Sequence, residues 1–155
     1  MHTHSKILAL SCLLVTSICS ADNFIGQTIP PYPSGWQDEG GWCLDSDCHH
    51  NLGILKKANQ RVLYFGKAAN SNDVTPHWLV LDQMPYPDTP ANFELASAAC
   101  EINGKSDLSI IAVVKTTDTE WHKQVRFAYK ANTVTKQFET ISTKGIRCQN
   151  NAWGL

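Results

Sequence analysis

Four cysteines, Cys43, Cys48, Cys100 and Cys148, constrain this chain more than any other feature. Two further cysteines, Cys12 and Cys19, lie in an N-terminal stretch that reads as a leader: Lys6, an apolar run from Ile7 to Ile18, then small residues ending in Ala21. That layout predicts a secretory signal peptide over residues 1–21, cut after Ala21. The run is shorter than the about 20 apolar residues of a membrane span. Lipid attachment at Cys12 or Cys19 is the rival reading, but neither has the leucine-small-small lead it needs. The sequence therefore predicts one globular exported domain over 22–155, periplasmic or secreted, with no membrane span.

An even number of cysteines in an exported chain points to disulfides, because an oxidising compartment lets them persist. Of the three pairings, the spacing favours Cys43–Cys48 with Cys100–Cys148. Leu44, Asp45, Ser46 and Asp47 lie between the first two, and Asp and Ser favour the tight reversal a small ring requires. Loop entropy assigns about 2 kcal/mol to that ring and about 4 kcal/mol to the longer one.

The stretch "GGWCLDSDCHHN" also invites a metal reading with Cys43, Cys48, His49 and His50 as ligands. Structural zinc sites draw a second ligand pair from a distant segment, whereas these four share one loop. "DSD" lacks the glycine and closing glutamate of a calcium loop, and oxidised cysteines do not ligate. The sequence thus predicts no metal and no cofactor.

The formal net charge of -1 gives no reason to expect nucleic acid or anionic lipid as a partner. Acidic residues outnumber basic ones from Asp22 to Glu101, and Lys105, Lys115, Lys123, Arg126, Lys130, Lys136, Lys144 and Arg147 reverse the balance afterwards. The simplest reading is that the halves neutralise each other.

Along the mature chain, residues 22–42 are rich in proline, glycine and polar residues, which suggests an extended N-terminal arm with a short polyproline stretch at Pro30, Pro31 and Pro33. "NLGILKKANQ" is ambiguous between a strand and a helical turn. "RVLYFGKA" and "HWLVLDQM" are rich in strand formers and predict a hairpin. "FELASAACEI" alternates loosely and leads to Asn103-Gly104, a type I′ turn signal, after which "LSIIAVV" reads as a central strand. "TEWHKQVRFAYK" and "KQFETIS" predict a last hairpin. The fold expected is mainly β, with α+β as the alternative: a small antiparallel sheet of hairpins with long loops, one or two short helices and two disulfides.

The sequence lacks a nucleophile elbow, a phosphate loop and a zinc-protease helix motif, and no residue is assigned a catalytic role. An envelope hydrolase acting on carbohydrate or peptide would have to draw acids from Asp38, Glu39, Asp45 and Asp47 and a histidine from His49, His50, His77 or His122. Five tryptophans are many for this length, and Trp36 and Trp42 stand beside the cysteine loop. Aromatics next to Asp and Asn suit sugar stacking or protein contact. The reading favoured is a non-catalytic binding protein, an inhibitor or immunity-type protein acting on an envelope enzyme. Its contact residues would be Trp36, Trp42, Leu44, Asp45, Ser46 and Asp47. A structural accessory of an envelope complex is a further alternative.

Overall fold

The computed structural model describes residues 22–69 and 74–154; the expected signal peptide lies outside them. Among the described residues the chain forms strands and no helix. The first sheet contains β1 (Thr28–Ile29), β2 (Gln37–Cys43), β3 (His50–Lys57), β4 (Gln60–Ala68) and β5 (Trp78–Pro85), in the order β1-β5-β4-β3-β2. β6 (Phe93–Ser97), β9 (Ile110–Lys115), β11 (Val125–Asn132) and β12 (Gln137–Thr140) make a second, ordered β12-β11-β9-β6. The third holds β7 (Cys100–Ile102), β8 (Lys105–Ser106), β10 (Trp121–His122) and β13 (Ile146–Gln149), ordered β10-β13-β7-β8. All the pairings are antiparallel.

The mainly β, antiparallel, doubly disulfide-bonded fold agrees with the sequence, with two corrections. One small sheet becomes three, and the one or two short helices are not found among the described residues. Of the alanines that suggested a helix in "FELASAACEI", Ala96 lies in β6, while Ala98 and Ala99 form the turn between β6 and β7, in which Ala98 takes a φ of 56°. β6 pairs with β9, whereas β7 turns through Asn103 (φ 52°) and Gly104 (φ 80°) into β8. The Asn-Gly turn forms as expected, but its return strand is short and the chain then enters β9 in the second sheet. "NLGILKKANQ" resolves as β3, continuing through Ala58 into a hairpin with β4. The β4–β5 and β11–β12 hairpins form as read.

Side chains alternate across a strand, so each strand can serve two cores. Leu52, Leu63, Phe65, Ile111 and Ala131 pack between the first and second sheets. Ile110, Ala112, Val114 and Ala128 pack between the second and third, with Ile146 and the Cys100–Cys148 disulfide. β9 therefore has both faces covered, which accounts for its unbroken run Ile110-Ile111-Ala112-Val113-Val114. Cys100 and Cys148 are directly opposite one another in the β7–β13 ladder.

The outer face of the first sheet is covered by its own N-terminal segment. Phe24, Ile29 and Trp36 pack on Leu55, Tyr64 and Val80. The segment bends at Pro30 and Pro31 instead of running on as polyproline, and residues 37–42 enter β2. β2 is an edge strand, and its Gln-Asp-Glu-Gly-Gly sequence suits that place. Charged side chains and a register shift between Asp38 and Gly41 blunt an edge that would otherwise invite pairing with another chain.

Candidate functional site

The Cys43–Cys48 disulfide closes the connection from β2 to β3, so both thiols are consumed and the ring is a staple. Within it, Cys48 N–H donates to Asp45 O at 3.1 Å, and Cys48 takes a φ of 54°. The Asp45 carboxylate turns back into the loop. It accepts from His49 N–H at 2.7 Å and His50 N–H at 3.0 Å, and lies 3.3 Å from His50 Nδ1. Partial desolvation pulls Asp45 upward, but the two backbone N–H bonds, helped by the neighbouring histidines, hold its carboxyl below the usual 3.8. Leu44 points the other way, into the core with Leu52, Leu63 and Phe65. His50 packs on Phe65, with ring centroids 5.8 Å apart.

These placements revise the contact set expected from sequence. Leu44 and Trp36 are buried and unavailable to a partner. Trp36 stacks edge-on against Phe24, at 5.0 Å and 81°, and donates from Nε1 to Asp22 at 2.8 Å. Asp45 is spent on the loop's own backbone. Ser46 and Asp47 remain exposed at the tip, and His49, whose side chain is 69% exposed, joins them. Leu44 misled because its packing partners lie in β3, β4 and β9, far off in sequence.

Beside this loop, on the outer face of the first sheet, is a cavity of about 190 Å³. Its walls include Tyr32, Trp42, Tyr64 and Trp78, with Asp38, Asn51 and the Cys43–Cys48 disulfide also lining it. Glycines let its walls approach the sheet backbone. Gly41 and Gly53 face each other across β2 and β3, and Gly66 faces Asn51 across β3 and β4. A methyl group at Gly53 would occupy the space of the Tyr64 ring, and one at Gly41 would collide with Leu52 O. Only glycine permits these approaches.

The polar groups of the cavity are unevenly satisfied. Tyr32 O–H donates to Asp38 Oδ2 at 3.1 Å, and Asn51 Nδ2 donates to Tyr64 Oη at 3.2 Å. Burial, then the hydrogen bond to Asp38 and its charge, push the Tyr32 phenol up to about 12. Asn51 Oδ1 is buried without a protein partner. Trp42 Nε1 is unpaired too, but Trp42 stands opposite Leu52 in the ladder and packs into the core between the first two sheets, on the other face from Asn51. Sequence reading missed the cavity, although the strand-interior glycines were its visible signal.

The acids and histidines of a hydrolase are distributed over separate tasks. Glu39 pairs with Lys56 at 3.3 Å and Arg61 at 2.6 Å. Asp38 also accepts from Gly40 N–H, and Asp45 holds its loop. His77 is half-buried just before β5. His122 is 2% exposed; Thr117 N–H donates to its Nδ1, which puts the proton of the neutral ring on Nε2, 3.1 Å from Glu94. It links β6 to β10, on different sheets from the cysteine loop.

No family model, curated protein or solved structure matches this chain.

Proposed function

We propose that this protein is a small exported binding protein without catalysis, an inhibitor or immunity-type protein that meets an envelope enzyme through the loop closed by Cys43–Cys48. The observation that supports this reading is the doubly fixed loop. The disulfide joins its ends and Asp45 ties its interior, while Ser46, Asp47 and His49 face outward. A loop held in one shape before contact loses little entropy on association, so more of its contact energy appears as affinity. Two disulfides are compatible with an oxidising, exported setting. No helix among the described residues is long and apolar enough to cross a membrane.

The test compares the wild-type protein with a Ser46→Ala, Asp47→Ala, His49→Ala variant as immobilised bait for envelope proteins of the producing and neighbouring cells. The expected result is a protein retained by the wild type, lost with the variant, and inhibited in its own reaction by the wild type. Retention that is indifferent to the three substitutions would remove the loop as the contact.

A further inference from the structure

We infer that the groove between the start of β11 and the β12–β13 connection is a binding site for an acidic sugar chain, one that carries carboxylates or sulfates. It is built on the second and third sheets and is independent of the contact proposed for the Cys43–Cys48 loop.

The groove has a volume of about 600 Å³. At about 30 Å³ per water it holds about twenty waters, far more than one carboxylate or phosphate displaces. Lys123, Arg126 and Lys144 line it, and no acidic residue does. Elsewhere cations are spent on carboxylates: Lys56 and Arg61 on Glu39, Lys57 on Asp22, Lys130 on Asp107 and Arg147 on Glu101. The side chains of Lys123, Arg126 and Lys144 have no such partner among the described residues. Glu94, next to Phe93, lies against His122, and Glu120 lines a separate hollow that Lys123 also borders.

The local fold explains why Arg126 is there. A register shift between Val125 and Phe127 leaves it without a partner in the β9 ladder, and such bulges re-aim the side chain they carry. Its guanidinium lies 5.9 Å from the Phe93 ring centroid and 5.3 Å from that of Phe127. The rings attract the cation without neutralising it. Its planar fork of donors is left for an oxyanion.

Charge selects an anion, and the other walls narrow its kind. Gln124 and Thr143 add uncharged donors and acceptors beside the cations, which suit hydroxyls. Much of the backbone is already committed. Ile146 N–H donates to Thr143 O and Lys144 N–H to Ser142 Oγ, while Gly145 O and Gln124 O accept from Asn103 and Lys115. An acidic peptide seeking to add a strand finds those groups taken. Phe93 supplies the aromatic ring of the lining, and Arg126 lies over it, so a nucleobase has no clear ring to stack on. A sugar chain with carboxylates or sulfates brings the charge and the hydroxyls together.

The experiment is a ¹H–¹⁵N NMR titration of the oxidised, exported chain with tetragalacturonate and with a sulfated heparin tetrasaccharide. Neutral maltotetraose, a hexaglutamate peptide and oligothymidylate are the comparisons. The expected result is a saturable shift of the amides of residues 123–126 and 143–146 with at least one acidic sugar, with Kd near ~0.5 mM at low salt. Raising the salt from about 10 mM to about 150 mM shortens the screening length from about 30 Å to about 8 Å and should weaken binding about tenfold. Arg126→Ala should weaken it about tenfold, and Arg126→Lys should restore only part of the loss. Lys144→Glu, across the groove, should abolish binding even if Arg126→Ala fails to fold. Lys67→Ala, which removes an exposed lysine of the first sheet, should leave the affinity unchanged and so separates a site from general attraction. Ser46→Ala with Asp47→Ala should also leave it unchanged, which separates the groove from the loop contact. Shifts absent with both acidic sugars, equalled by any of the three comparisons, or weakened as much by Lys67→Ala as by Arg126→Ala would overturn the inference.

Discussion

The Tyr64 ring lies across Gly53, its direct partner in the β3–β4 ladder, in the volume that any side chain at position 53 would need. The ring thereby covers bare backbone and carries its hydroxyl to Asn51. Gly53→Ala should displace Tyr64, break that bond and cost about 1–3 kcal/mol of stability, as overpacking a filled interior does. Denaturant midpoints measure it. A variant as stable as the wild type would mean that Tyr64 has a second resting place.

The disulfides should differ in weight. They span 5 and 48 residues of sequence, for which loop entropy gives about 2 and about 4 kcal/mol. Replacing Cys100 and Cys148 by alanine should therefore lower the unfolding free energy about twice as far as replacing Cys43 and Cys48. Burial of the second bridge between two sheets adds to the difference. Chemical denaturation of the two double variants decides it, and an equal loss would contradict the ranking.

Asp45→Ala should destabilise by about 1–2 kcal/mol at neutral pH, because two backbone N–H groups lose a charged acceptor. The folded carboxyl titrates below its usual 3.8, so its contribution is complete above that value and fades as the pH falls through the lower folded one. The stability gap between wild type and variant should hold from neutral pH to about 5 and close in stronger acid. A gap that does not change with pH would show that the charge is irrelevant to the loop.

The alkaline limb belongs in part to Tyr32. Its phenol is raised from 10 to about 12 in the fold, so the fold favours the neutral form. The associated stability is fully present below pH about 10 and is lost as the pH rises toward about 12. Tyr32→Phe should flatten the fall in urea midpoint between pH about 10 and about 12. Tyr64, raised by burial, should account for part of what remains. An unchanged slope in Tyr32→Phe would contradict this assignment.

What could be read from sequence was what is local. Arg61–Ala68 and Trp78–Met84 alternate and carry strand formers, and Asn103-Gly104 specifies its turn by backbone conformation alone. The cysteine pairing followed from ring size and spacing. What stayed hidden depends on register and layering. The exposed edge strand Gln37–Cys43 has no alternation of apolar residues to announce it. Trp36 looks like a loop aromatic until Phe24 and Asp22 close on it. Gly41, Gly53 and Gly66 mean little one by one; the strand pairing sets Gly41 against Gly53 and Gly66 against Asn51, and leaves the Tyr64 ring room to lie across Gly53. Leu44 shows the same limit, since only the stacking of the second sheet on the first buries it.

Native mass spectrometry of the protein recovered from the cells that export it tests the binding reading most directly. The predicted result is a chain beginning at Asp22, four hydrogens lighter than its reduced mass, carrying a second protein that is absent when Ser46, Asp47 and His49 are alanine. A chain with free thiols, or a second protein equally bound to that variant, would contradict it.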